Sequence, residues 1–255
     1  MSARRTIALA TSASWPELSP DDAALIPALR DGGFDAEPVI WSDASIDWSR
    51  YALVVVRSCW DYHLRVAEFD AWIERVARLT TLVNPPSLLR WNLHKSYLLG
   101  LASEGVRIPA SQLVRNVVIK PAVSASAYET RYFADDLLVQ EFVSEIATAG
   151  EWSLLFFDGA FSHAVVKRPR SGDFRVQEEL GGSATPAEPS SAMLDYARFV
   201  LERAPSMPVY ARVDLVERAA GITLMELELI EPSLFLRGDR ERTDRFAAAL
   251  LRQLR

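Results

Sequence analysis

The stretch Tyr210–Pro232, YARVDLVERAAGITLMELELIEP, constrains the fold more than any other part of the chain. Val209, Ala211, Val213 and Leu215 are apolar, and Arg212 and Asp214 lie between them. Met225, Leu227 and Leu229 are apolar as well, with Glu226 and Glu228 between them. This alternation predicts two half-buried strands, each carrying its charges on one face. A tight antiparallel connection through Glu217–Gly221 pairs residues whose numbers sum to an even value, so both charged sets share one face of the ribbon. Three carboxylates and an arginine then converge over an apolar core. Like charges about 4 Å apart repel by roughly 4 kcal/mol at an effective dielectric near 20. Such a face needs a divalent cation, a cationic partner or open water, and all-oxygen ligation suits magnesium. A solvated sheet face with Arg212 paired to a glutamate satisfies the same alternation, and the ribbon alone does not choose.

The chain is long enough for one or two cores, and its 49% hydrophobic content is that of an ordinary globular protein. A net charge of −6 argues against nucleic acid and anionic membranes as partners. Cys59 is the single cysteine, which excludes an intrachain disulfide, and His63, His94 and His163 are too dispersed for a zinc motif. The N-terminal apolar run is too short and too polar for a signal peptide, and no segment reaches the length of a transmembrane helix. A cytoplasmic location follows as the expectation.

Strands are expected at Thr6–Ala10, Ala36–Trp41 and Tyr51–Arg57, the last apolar throughout as a buried parallel strand is. Helices are expected from Pro20 to Asp31 and over Val66–Leu79, where Phe69, Trp72, Ile73 and Val76 fall at helical spacing. This start predicts an open α/β sheet, whose ligands bind beyond the carboxyl ends of its strands. RSCWDYHLR lies there, so Arg57, Asp61 and Tyr62 are substrate-contact candidates, with an Arg57–Asp61 ion pair as the plain alternative. After the break Asn84-Pro85-Pro86, a helix capped by Ser87 is expected to run through His94 and Lys95 to Leu101. Further strands are expected at Val117–Lys120, Leu137–Phe142, and Glu151–Phe157 with Ala164–Lys167 around Asp158-Gly159. Ser171–Pro189 reads as a long loop, and Met193–Leu201 and Arg245–Leu254 as helices.

Lys120 ends an apolar strand before Ser124 and Ser126, a workable phosphate clamp. Gln140-Glu141 can meet a base edge, and Glu151 is placed for ribose hydroxyls. Each has a bland reading as surface polarity. Their order, from Trp91 to Pro232, resembles the ATP-grasp superfamily of carboxylate–amine ligases, which includes glutathione synthetase and D-alanine:D-alanine ligase. The resemblance implies an α/β fold with an N-terminal open α/β (pre-ATP-grasp) domain, a small mobile lid and a C-terminal mixed α/β domain with an antiparallel sheet. The corresponding segments are 1–86, a linking helix region 87–108, the lid 109–143 and the C-terminal subdomain 144–255.

The resemblance also implies residue roles. Lys95 and Lys120 match the phosphate-contacting lysines, Gln140, Glu141, Phe142 and Val143 the adenine hinge, and Glu151 the ribose carboxylate. Arg212 and Asp214 match the R-x-D motif, an arginine near the transferred phosphoryl group and a magnesium ligand. Glu226 and Glu228 match the metal motif E-x-N, with Glu228 in place of asparagine. Asp173-Phe174-Arg175 followed by Gly181-Gly182 resembles the DFR…GG loop of the glutathione-synthetase branch, whose arginine faces the acyl phosphate or the substrate. ATP and Mg2+ are the implied cofactors, and a small amino-acid-like molecule the implied substrate, with oligomeric state left open. Arg57, Asp61 and Lys167 are the substrate-side candidates.

RSCWDYHLR, Trp91-Asn92 before His94-Lys95, and ELELIEPSLFL are similar to one branch, that of the ligase closing O-ureido-D-serine to D-cycloserine. A ligase joining two molecules and a non-catalytic ATP-binding module are the rival readings. The lid departs from the family. Leu113-Val114-Arg115 runs straight into Asn116-Val117-Val118, and Tyr132–Asp136 enters the hinge strand without a full crossover. The lid is therefore read as incomplete: either it is shortened, or lid residues are missing from the sequence as numbered. The second reading explains why strands 117–120 and 137–142 lack the expected connection.

Overall fold

A computed structural model describes residues 5–170, 173, 175 and 181–254. Its N-terminal region is a four-stranded parallel sheet of order β2-β1-β3-β4, built from β1 (Thr6–Thr11), β2 (Asp35–Ile40), β3 (Leu53–Val56) and β4 (Leu82–Val83). Ile7, Leu9, Leu53 and Val55 point to one core, while Ala8, Ala10, Val54 and Val56 point to another. Both faces are covered, as a parallel sheet requires. The expected first helix is split into α1 (Pro20–Ala23) and α2 (Leu25–Asp31). Helix α3 (Val66–Leu79) has the expected bounds and buries Phe69, Trp72, Ile73 and Val76.

The long helix expected from Ser87 to Leu101 is instead two, α4 (Pro86–Leu93) and α5 (Tyr97–Ser103). Pro85 is the N-cap rather than Ser87, with Pro86 at the first helical position, where its missing N–H costs nothing. His94 is extended (φ −113°, ψ 124°), and its Nδ1 accepts from the Ser96 amide at 3.3 Å. That local bond competes with the helical ladder. His94 and Lys95 therefore stand in a break between helices.

The segment expected to be the lid, 109–143, holds two small antiparallel sheets, β5 (Ser111–Val114) with β8 (Leu137–Gln140) and β6 (Val117–Ile119) with β7 (Arg131–Phe133). Both strands that seemed to lack a connection thus have partners; Asn116, at φ +52°, turns the chain between β5 and β6. Short α6 (Glu145–Thr148) leads to the C-terminal sheet, of order β11-β10-β9-β12-β13 and antiparallel throughout. Its strands are β9 (Glu151–Phe157), β10 (Ala160–Arg168), β11 (Ser183–Pro186), β12 (Tyr210–Arg218) and β13 (Gly221–Glu228). Asp158 and Gly159, at φ +48° and +73°, make the turn between β9 and β10, where a positive φ at both central residues suits the strand twist. Strand β11 lies in the region expected to be a loop; most of 171–180 falls outside the described residues.

Helix α7 (Ser191–Leu201) and α5 cover one face of this sheet, packing on Leu154, Phe156, Ala211 and Val213. Leu155, Phe157 and Tyr210 on the other face join α2 and α8 (Arg240–Arg252) in the core shared with the N-terminal sheet. Asp239, whose side chain accepts from the Arg242 amide, starts α8 earlier than the sequence pattern suggests. No helix among the described residues is long and apolar enough to cross a membrane.

Candidate active site

The face of the C-terminal sheet that buries Leu155 and Phe157 at one end is charged at the other. Register places Lys167 opposite Glu151, Asp214 opposite Ser153 and Glu226, and Arg212 opposite Glu228. The even-sum pairing holds for Arg212–Glu228 and Asp214–Glu226. A bulge next to Asp214 then shifts the register, so Leu215 faces Leu224. The bulge lies beyond the charged rungs and leaves them on one face.

Asp214, only 2% exposed, is the centre of this cluster. Its Oδ1 accepts from Ser153 Oγ at 2.6 Å and Arg212 Nε at 3.0 Å, and its Oδ2 from Lys167 Nζ and Arg212 Nη2, both at 2.9 Å. Burial opposes its ionisation, but Arg212 and Lys167 outweigh burial and hold the carboxyl well below the usual range. Lys167 also meets Glu151 at 2.6 Å. Burial works against the Lys167 ammonium as well, and Asp214 and Glu151 reverse the effect. On the outer strand, Arg212 pairs with Glu228, and Lys95 reaches across from the break between α4 and α5 to Glu226.

Acids outnumber cations here: Glu151, Asp214, Glu226, Glu228 and Glu231 share the field of Lys95, Lys167 and Arg212. Burial, opposed by Arg212 and reinforced by Glu226 and Asp214, pushes the Glu228 carboxyl up to about 8. Burial likewise lifts Glu231 to about 7.

The three expected metal ligands do not stand as an open cage. Among the described residues no group of three or more acids or His/Cys is disposed to hold an ion. Asp214 is committed to Arg212, Lys167 and Ser153, because side-chain cations within reach neutralise a buried acid. Glu226 and Glu228 remain the acids nearer the surface. Their all-oxygen donor set and the surplus of negative charge fit a hard divalent cation.

Side-chain amides that sequence reasoning passed over hold the outer strand. β13 is an edge strand, and Asn92 on α4 pairs with it as a neighbouring strand would. Its Nδ2 donates to the Leu227 carbonyl (2.8 Å), and its Oδ1 accepts from the Leu229 amide (2.9 Å). The Tyr97 hydroxyl accepts from the Leu227 amide at 3.0 Å. Asn84, wholly buried, donates to the Tyr210 and Leu229 carbonyls and accepts from the Val209 amide. Glu228 is thus pinned on both sides through the main chain. The signal available was polar residues at the Asn84-Pro-Pro break and in Trp91-Asn92, but their partners lie over 120 residues away.

Several expected site residues are placed elsewhere. Arg57 is fully buried, pairs with Asp22 at 2.7 Å and donates to the Pro232 carbonyl at 2.6 Å, while Ser58 donates to the other Asp22 oxygen. Asp61 accepts from Trp41 Nε1 at 2.8 Å and pairs with Arg65. The Arg57–Asp61 pair is not formed, since each has a nearer partner that only folding supplies. Tyr62, by contrast, stands at the charged cluster: its ring stacks on Phe69 at 4.9 Å, and its hydroxyl donates to Glu231 in the field of Glu228 and Glu226. His163 bridges the Ser162 hydroxyl and the Leu234 carbonyl, and burial lowers its pKa to about 4, a structural role.

Lys120 is exposed after β6 and makes no ion pair among the described residues. In the hinge, Gln140 Nε2 donates to Ser111 Oγ, the Glu141 amide donates to the Ala110 carbonyl, and the Glu141 carboxylate pairs with Arg218. Phe142 is exposed and Val143 is buried against Ile146 and Val216. Arg175 is exposed and pairs with Asp173 at 2.8 Å; Phe174 lies outside the described residues. Beside Lys167 and Arg212 opens a cleft of about 560 Å3, reached also by Trp15, Trp60 and Arg237.

The sequence is 32% identical to the cycloserine biosynthesis protein DcsG of Streptomyces lavendulae, over 98% of this chain and 99% of that protein. The chain belongs to the DcsG family. Residues 7–84 match the model of the D-cycloserine synthetase DcsG N-terminal domain. The crystal structure of D-cycloserine synthetase DcsG superposes with a TM-score of 0.83 at 29% identity, covering 98% of this chain and 100% of that one. D-alanine–D-alanine ligase from Bacillus anthracis shares the fold, with a TM-score of 0.68 at 12% identity over 99% of this chain and 97% of that one. So does the ATP-grasp ligase PsnB, in a complex with minimal precursor, Mg and ADP (TM-score 0.63, 15% identity, 100% of this chain and 99% of that one). This DcsG-family chain therefore has the fold of the ATP-grasp ligases, and the expected α/β architecture is the observed one. The match to DcsG runs over 299 aligned positions, more than the 255 residues of this chain, so the relative has residues with no counterpart here.

Proposed function

We propose that this ligase uses ATP and magnesium to activate the carboxylate of a small amino-acid-like substrate in the cytoplasm and closes that substrate on itself, converting O-ureido-D-serine to D-cycloserine. The observation that carries the proposal is the charged floor at one end of the C-terminal sheet. Lys167, Asp214 and Arg212 lock together there, Glu226 and Glu228 face outward, and the substrate-sized cleft opens alongside.

In this reading a substrate carboxylate oxygen attacks the terminal phosphorus of ATP, ADP leaves, and an acyl phosphate forms. The aminooxy nitrogen of the same molecule then attacks the acyl carbon and phosphate departs. The ureido carbon leaves as carbon dioxide and ammonia with uptake of water. Arg212, fixed by Asp214, steadies the charge on the phosphoryl group in flight, and Lys167 holds the carboxylate end. Lys95 and Lys120 hold ATP phosphates, Gln140–Val143 the adenine and Glu151 the ribose. Arg175 closes over the acyl phosphate. Glu226 and Glu228 would hold Mg2+, oriented by Arg212 and Asp214; bound there, the ion neutralises phosphate charge. Segments 1–86 and 144–255 form the walls, and 109–143 the lid that excludes water.

Release of ADP and formation of D-cycloserine with O-ureido-D-serine alone, lost on chelation of magnesium, is the expected result. A requirement for a second amine would make the enzyme an intermolecular ligase. ATP binding without turnover on any acid would make it a binding module.

A further inference from the structure

The cleft has lining residues that the roles above do not use, among them Arg237, Trp15 and Trp60. Among the described residues four cations line it, Lys167, Arg212, Arg237 and Arg242, against one acid, Asp21. Three of the four are engaged: Lys167 by Glu151 and Asp214, Arg212 by Asp214 and Glu228, and Arg242 by Asp239 at 2.8 Å. Arg237 makes no ion pair among the described residues, and its side chain stays exposed on the cleft.

Asp21 does not compensate it. Its Oδ1 accepts from the amides of Leu236 (2.6 Å) and Arg237 itself (2.8 Å), and its Oδ2 from Leu234 (3.2 Å). The acid at the start of α1 is therefore spent on the main chain of the segment after β13. The backbone that carries Arg237 is fixed, while its guanidinium has no counter-ion among the described residues. The same cleft is lined by two indoles, Trp15 and Trp60, perpendicular with centroids 5.5 Å apart. Trp60 Nε1 donates to the Glu231 carbonyl at 3.2 Å, which holds that ring in place. A guanidinium fork carried on a fixed backbone beside aromatic surface suits a planar carboxylate attached to a small neutral body.

We infer that Arg237 is a substrate-binding residue. It takes the carboxylate of the acid substrate as a two-pronged pair and presents it beside Lys167 and Arg212, with Trp15 and Trp60 covering the neutral part of the molecule. This rests on the ligase reading above, so its test reads binding and turnover separately. Calorimetry would titrate O-ureido-D-serine, D-serine and D-alanine into the full chain loaded with magnesium and a non-hydrolysable ATP analogue.

Arg237→Ala should bind the acid that the wild type prefers roughly 10- to 100-fold more weakly, the loss of a charge-assisted pair. Arg237→Lys should recover part of that loss, and affinity for the ATP analogue should stay within about twofold. Thermal unfolding should be unchanged, because the side chain is exposed. Equal acid affinity in wild type and Arg237→Ala overturns the inference. So does a parallel loss of nucleotide affinity, or a wild type that binds none of the three acids. Acid binding that depends on Arg237 without ADP release in the wild type would sink the ligase reading and leave the assignment of Arg237 standing.

Discussion

Arg57 and Arg212 are both buried and both paired to an aspartate, yet they do different work. Arg57 and Asp22 close on each other, with Ser58 and the Pro232 carbonyl taking the remaining bonds. Tyr210 and Phe246 lie against the guanidinium at 5.4 and 5.6 Å. That pair joins the N-terminal sheet to the segment after β13, and its charges balance. Arg212 serves two acids, Asp214 and Glu228, in a cluster where acids are in excess, and it lines the cleft. Burial of a charge does not by itself mark a site. The uncompensated remainder does, because it costs free energy until a ligand supplies the missing charge.

The largest expected effect comes from breaking the second pair. Asp214→Asn should abolish ADP formation and, by leaving Lys167 and Arg212 under-compensated, destabilise the fold by roughly 3–5 kcal/mol in urea unfolding. Wild-type turnover in this variant would remove Asp214 from the machinery. Arg57→Met should cost a comparable roughly 3–5 kcal/mol by stranding Asp22. In the protein that remains folded, KM for ATP and for the acid should match wild type. A raised KM with undiminished stability would return Arg57 to the substrate side and erase the contrast.

A third test uses pH. Glu228 has its folded pKa pushed from 4.5 up to about 8. Between those values the native state holds a proton that the unfolded chain has lost, so stability falls as pH rises through this window. Glu231, at about 7, acts in the same direction. The metal-free protein should therefore melt at lower temperature at pH 8 than at pH 5.5. Magnesium with nucleotide should flatten the trend, and so should Glu228→Asn. A melting temperature rising over that range would contradict the excess of acid. The smallest effect is expected at Lys120: Lys120→Ala should weaken nucleotide binding several-fold while changing unfolding by less than about 0.5 kcal/mol. Unchanged nucleotide affinity would take Lys120 out of the phosphate site.

Local patterns were legible where one periodicity ran unopposed. Helix α3 has the bounds its apolar spacing predicts, and the turn at Asp158-Gly159 falls where its residues demand. The helix across His94 failed because a side-chain bond to Ser96 outcompetes the ladder, and no periodicity reports that. Strand β11 was hidden among small residues and prolines. It is held at the sheet edge by pairing with β10 rather than by its own propensity.

The sequence alone determined that Arg212, Asp214, Glu226 and Glu228 would share one face, since strand alternation and chain order are local properties. It also carried the ordered landmarks of an ATP-grasp ligase. Only the tertiary structure decided which charges were left over. Asp22 lies 35 residues from Arg57, and Lys167 lies 47 from Asp214. The balance of buried charge depends on who arrives beside whom, and the packing of distant segments settles that.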